Sequence, residues 1–162
     1  MTIQLNLRLL ATKPLELEGE ISADDLDISG LDELVQPASS ISYQLRISRH
    51  EKDYLVEGRL QLELLCQCSR CLRTYPSRID LDPWRQLLQT EGEDKILIVN
   101  DFVDLTPWVR EDIVLAFPQH PLCGIGCSGL KEVPQSSPQK INGAREHSES
   151  VSAWAELEKL KF

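Results

Sequence analysis

No apolar run in this 162-residue sequence approaches the ~20 residues that span a bilayer as a helix. Its first ten residues alternate polar and apolar side chains, so they do not read as the apolar core of a secretion signal. There is no glycine-rich phosphate loop, no H-E-x-x-H and no G-x-S-x-G, so the common sequence marks of nucleotide, metalloprotease and serine-hydrolase chemistry are missing. The three histidines, His50, His120 and His147, fall in turn or linker positions without a motif partner. Aromatic residues are 6% of the chain, and Trp84, Trp108 and Trp154 read as core or docking anchors. Lys and Arg number 17 against 26 Asp and Glu, a net charge of −9. That balance excludes a chain that neutralises phosphates by bulk charge. The sequence is expected to encode a non-catalytic, cytoplasmic protein that does not associate with membranes.

The charge is unevenly spread. Residues 1–65 carry 6 basic and 12 acidic side chains, and residues 80–130 carry 3 and 9. Between them, residues 66–79 hold Arg70, Arg73 and Arg78 with no acid. Two readings of this basic stretch stand: the arginines offset nearby thiolates, or they contact phosphate.

Patterning in the first half is that of strands. Ile3, Leu5, Leu7 and Leu9 alternate with polar residues, as do Leu15, Leu17, Gly19 and Ile21. Residues 22–34 are acidic and irregular, and residues 36–40 read as a loop. Ile41 to Ile47 and Val56 to Cys68 alternate on either side of His50-Glu51-Lys52-Asp53, which predicts an antiparallel hairpin. Further on, Ile79 and Leu81 suggest a short strand, Trp84 to Leu88 a helical turn, and Ile96 to Val99 another short strand. Thr106-Pro107 reads as an N-cap followed by proline in the first turn, with Glu111-Asp112 near the helix N-terminus. Val109, Ile113, Ala116 and Phe117 would form the helix's buried face, ended by Pro118. The expected fold is α+β: a mainly antiparallel sheet or partial barrel with one or two packed helices. Residues 1–130 form the domain in this reading, and 131–150, rich in Ser and Pro, a polar linker. Residues 151–162 form a short C-terminal docking helix through Trp154, Leu157 and Leu160.

Five cysteines, an odd number, stand at Cys66, Cys68, Cys71, Cys123 and Cys127. The count and the absent signal argue against a disulfide scaffold. Cys68-x-x-Cys71 and Cys123-x-x-x-Cys127 suit two knuckles that share one structural zinc, and four sulfur ligands would leave no open position for catalysis. Cys66, in phase with the strand's buried face, is assigned to the core. Reduced, partly buried thiols are the plain alternative. A redox dithiol is disfavoured because no amphipathic helix begins at Cys68-x-x-Cys71 to lower a thiol pKa.

Several of these segments resemble the YceD family, the large ribosomal RNA subunit accumulation proteins. They are Val56-x-Gly58, Cys68-Ser69-Arg70-Cys71-Leu72, Asp104-Leu105, Leu115-Ala116-Phe117-Pro118 and Pro121-Leu122-Cys123-x-x-x-Cys127-x-Gly129-Leu130. Trp154-Ala155-Glu156-Leu157-x-x-Leu160-Lys161 is similar to that family's C-terminal segment. The likeness runs from about residue 1 to 130 and resumes at the end. Many relatives carry further cysteines just after the Gly-Leu pair, where this chain has Lys131. The resemblance implies a role in 23S rRNA accumulation and large-subunit biogenesis, acting on the RNA or its precursor particle. Arg70, Arg73 and Arg78 would supply the RNA contact, and the acidic body would dock on basic ribosomal proteins. The alternative is a zinc-stabilised adaptor that binds proteins only, and a thiol oxidoreductase comes third.

Overall fold

The computed structural model describes residues 2–11 and 13–130. The linker assigned to 131–150 and the helix assigned to 151–162, with Trp154, Leu157 and Leu160, lie outside the described residues.

The predicted hairpin is the spine of the fold. Strands β4 (Ile41–His50) and β5 (Asp53–Gln67) pair antiparallel from Ser42↔Gln61 to His50↔Asp53 around Glu51-Lys52, with Glu51 in the left-handed region at φ 56. Strand β2 (Leu15–Ile21) pairs with β4, and β6 (Thr74–Leu88) lines the whole length of β5. Residues of β5 that pair with β4 also pair with β6, so these two neighbours occupy opposite sides of β5. The short β3 (Val35–Pro37) extends the β4 side by pairing with Leu64–Cys66. Strands β1 (Gln4–Asn6) and β7 (Phe102–Asp104) make a separate two-stranded ribbon. The sheet is open and antiparallel, not a closed barrel, and one α-helix, α1 (Thr106–Leu115), is present among the described residues.

Alternation places Ile21, Ile41, Leu45, Ile47, Val56, Leu60, Leu62, Leu64 and Ile79 on the buried face. The opposite face is polar. There Arg59 bonds Asp80 with its Nε at 2.7 Å from Oδ1, and Arg85 bonds Glu57 at 2.9 Å. Helix α1 buries Val109 and Ile113, one turn apart, against this core. Trp84 of β6 donates its indole N–H to Asp112, and Arg110 Nε donates to the Leu26 carbonyl at 2.8 Å. These bonds tie the helix to the sheet and to the acidic segment, whose Leu26 and Ile28 are buried.

Several local expectations are corrected. Residues 84–88 continue β6 instead of forming a helical turn. The first alternating segment is a strand only over Gln4–Asn6 and then turns into a 3-10 helix, Leu7–Ala11. Its partner β7 is three residues long and offers Leu7 and Leu9 nothing to pair with, although the Leu7 N–H still reaches the Asp101 carbonyl at 2.9 Å. Ile96 to Val99 forms no strand; its only ladder contact is an isolated bridge, Val99↔Phe102. The stretch read as a loop at 36–40 begins inside β3. Thr106 is not the cap of α1: Leu105 holds that position without a side-chain bond, and the Thr106 hydroxyl accepts the Ile3 N–H at 2.9 Å. The first turn of α1 contains no acid, since Glu111 and Asp112 come too late, and Asp112 instead accepts from Trp84.

Candidate metal centre

Strand β5 ends at Gln67, and the chain reverses into β6 through a tight turn. Cys68 N–H donates to the Arg73 carbonyl and Leu72 N–H to the Cys68 carbonyl, both at 2.8 Å. Leu72 adopts φ 59 to close the turn. This turn carries Cys68 and Cys71. The second pair arrives from the segment after α1, where Cys127 N–H donates to the Gly124 carbonyl at 3.1 Å. Ser69 joins the two: its N–H and its hydroxyl both donate to the Pro121 carbonyl, at 2.9 and 3.0 Å. Gly129 has φ 80, and a Cβ there would lie 3.7 Å from the Arg70 carbonyl, so the second segment crosses close over the first turn. Ser69 and Gly129 lie in the segments that carry the family resemblance but are not among the predicted site residues. A hydroxyl inside the Cys-x-x-Cys spacer was the available clue for Ser69.

The four sulfurs proposed as ligands converge. The Sγ atoms of Cys68, Cys71, Cys123 and Cys127 all lie within 4.8 Å of one another. Two contacts run between the knuckles, Cys68 to Cys127 and Cys71 to Cys123, each 3.7 Å. Zinc–sulfur bonds of about 2.3 Å in a tetrahedron require sulfur–sulfur edges of about 3.8 Å, so the spacing fits that ion. Cys66 is fully buried in the core as expected, outside the cluster, and burial pushes its thiol pKa up.

The electrostatics favour a cation. Backbone N–H groups, that of Cys123 foremost and then those of Cys71 and Arg70, point at the Cys68 sulfur and draw its pKa down to about 6. The Arg73 backbone N–H and then its guanidinium lower that of Cys71. Cys123, crowded by the sulfurs of Cys127 and Cys71, is pushed up to about 11. The cluster therefore ionises in part by itself, while a further ionisation meets repulsion from sulfurs already charged. A bound dication removes that repulsion, which is the usual state of an all-thiolate site.

The three arginines of the basic stretch do not act alike. Arg73 Nη2 donates to Cys123 Sγ at 3.7 Å, and Cys71 and Cys123 together raise its pKa. Arg70, in the Cys-x-x-Cys spacer, and Arg78, opposite Glu63 on β6, are exposed. Neither makes an ion pair with a described residue. From the start of β6 to Arg78 is about 13 Å of strand, so Arg78 stands apart from the turn that carries the other two.

The protein-family profile described as Large ribosomal RNA subunit accumulation protein YceD matches residues 56–161. The match takes in β5 from Val56 onward, β6, α1 and all five cysteines. It begins at Val56, later than the sequence resemblance, and its range includes 131–150. No curated protein and no solved structure matches the chain. Among the described residues no helix is long and apolar enough to cross a membrane.

Proposed function

The chain belongs to the YceD family of large ribosomal RNA subunit accumulation proteins, and from that premise we propose that it is a non-catalytic cytoplasmic factor for 23S rRNA accumulation. The family match is the observation that carries this reading. In it, a structural zinc held by Cys68, Cys71, Cys123 and Cys127 fixes the β5–β6 turn and presents Arg70 to the RNA or its precursor particle, with Arg78 further along β6. Four sulfur donors would complete zinc's coordination and leave no place for a reacting water, which supports a scaffold over an enzyme. The acidic body limits RNA contact to this one window and makes it salt-sensitive. The remaining surface suits basic ribosomal proteins.

The test is removal of the protein and complementation. Cells lacking it should show a lower ratio of large- to small-subunit rRNA. Wild type should restore the ratio, and the double variant Cys71→Ser/Cys123→Ser should not. An unchanged ratio on removal would overturn the reading.

One observation favours the alternative, a zinc-stabilised adaptor without direct RNA contact: Arg73 is engaged with the thiols. Under that reading, alanine at Arg70 and Arg78 leaves complementation intact.

A further inference from the structure

The five-stranded sheet has long free edges at β6 and β2. The β6 edge is interrupted by Pro76 and Pro83, which have no N–H to offer an added strand. The β2 edge is not. Leu15–Ile21 contains no proline and pairs with β4 on one side only. No other backbone hydrogen bond of the described residues reaches it. Its exposed face carries Glu16, Glu18 and Glu20 at every second position. Across the ladder they face Arg46, Gln44 and Ser42, and none of the three forms an ion pair with a described residue. An open edge of this kind usually needs a device against unwanted pairing. Here the device is selective. A second copy laid antiparallel on β2 would set glutamate against glutamate, and RNA is repelled by the same charges. A strand with Lys or Arg at alternate positions meets each glutamate with the opposite charge while its backbone fills the free edge.

We propose that the β2 edge takes up an extended, basic segment of a protein partner as an added strand, with Lys or Arg alternating along it. Backbone hydrogen bonds along Leu15–Ile21 supply the pairing, and Glu16, Glu18 and Glu20 supply the selection. This deepens the reading of an acidic body that meets basic partners and rests on it. The surface involved is separate from the cysteine turn, since β4 lies between β2 and β5.

The experiment uses the full chain and two synthetic peptides of equal charge. One alternates Lys with Thr and Val; the other has the same sequence with its backbone nitrogens methylated, so that it cannot donate hydrogen bonds to the free edge. Binding is followed by titration calorimetry, and the contact is mapped by amide hydrogen exchange. The first peptide should bind and protect amides within Leu15–Ile21. The methylated peptide should bind about tenfold more weakly, and Glu18→Lys/Glu20→Lys should weaken the first by at least as much. Equal binding of the two peptides, protection confined to other strands, self-association through β2, or no binding at all would overturn the proposal. Peptide failure alongside a large-subunit rRNA deficit in depleted cells removes the edge and leaves the ribosomal role. Capture on β2 without that deficit does the reverse.

Discussion

Cys66 and Cys68 stand two residues apart, are both fully buried, and have opposite surroundings. Cys66 is still inside β5 and faces the apolar layer, whereas Cys68 comes one residue after the strand ends and turns toward the other thiols. Strand phase put Cys66 in the core, and the two-residue spacer to Cys71 put Cys68 in the knuckle. The convergence with Cys123 and Cys127 was legible for the same reason. The engagement of Arg73 was not, since nothing in the sequence tells which of three arginines a turn will fold back onto its sulfurs. Two substitutions test the distinction. Cys68→Ser should lower bound zinc below about half an equivalent by elemental analysis. Cys66→Ala should keep the metal and lose about 1 kcal/mol of stability from a small cavity. Asp80 gives a residue-level pH test. The Arg59 guanidinium that bonds it holds its carboxyl down to about 2. The bridge's contribution is therefore complete above the ordinary carboxylate range and disappears as pH falls from about 4 toward 2. The difference in melting temperature between wild type and Asp80→Asn should be constant from neutral pH to about 5 and close below it. A difference that does not change with pH would remove this bridge from the account.

At the scale of elements, alternation identified β2, β4 and β5 because in each the apolar residues keep to one, less exposed face along the alternating run. It failed at β6 for a local reason. Ile79 and Leu81 face inward at odd positions, but Trp84 and Leu88 do so at even ones. The register slips between Gly58↔Trp84 and Leu60↔Leu81, which adds a residue on β6 and switches the phase. A phase switch in the middle of a strand looks like helical spacing to a pattern reader. Beside this bulge, Gly58 is required by the strand on the other side: a Cβ there would sit 2.0 Å from the Gln44 carbonyl oxygen and 2.9 Å from the Leu45 Cα of β4. Both are backbone atoms and cannot swing away. Gly58→Ala should cost about 1–3 kcal/mol in chemical denaturation. Gly19→Ala should cost less, because its Cβ would meet the end of the Tyr43 side chain, 2.7 Å from the hydroxyl, which can move. Equal losses at the two sites would count against the close β4–β5 approach as the cause.

For the whole molecule, a net charge of −9 first speaks against nucleic acid, and its distribution narrows that statement. The acid is spread over both sides of the cysteine turn, and the exposed Arg70 and Arg78 stand in the one acid-free stretch. RNA binding through so few cations should be weak, and replacing both with alanine should flatten its salt dependence by about one to two units of log–log slope. The fold alone was not enough to reach a role, since an open antiparallel sheet with one helix supports many. The cysteine and Leu-Ala-Phe-Pro segments, which gave the family, carried that step. The central claim is that the metal-ordered turn brings the protein into contact with large-subunit RNA. Crosslinking in cells followed by sequencing of the bound RNA tests it most directly. Wild type should concentrate reads on 23S rRNA or its precursor, and Arg70→Ala/Arg78→Ala should lose them. Reads that are unchanged in the variant, or absent from large-subunit RNA in the wild type, would contradict it.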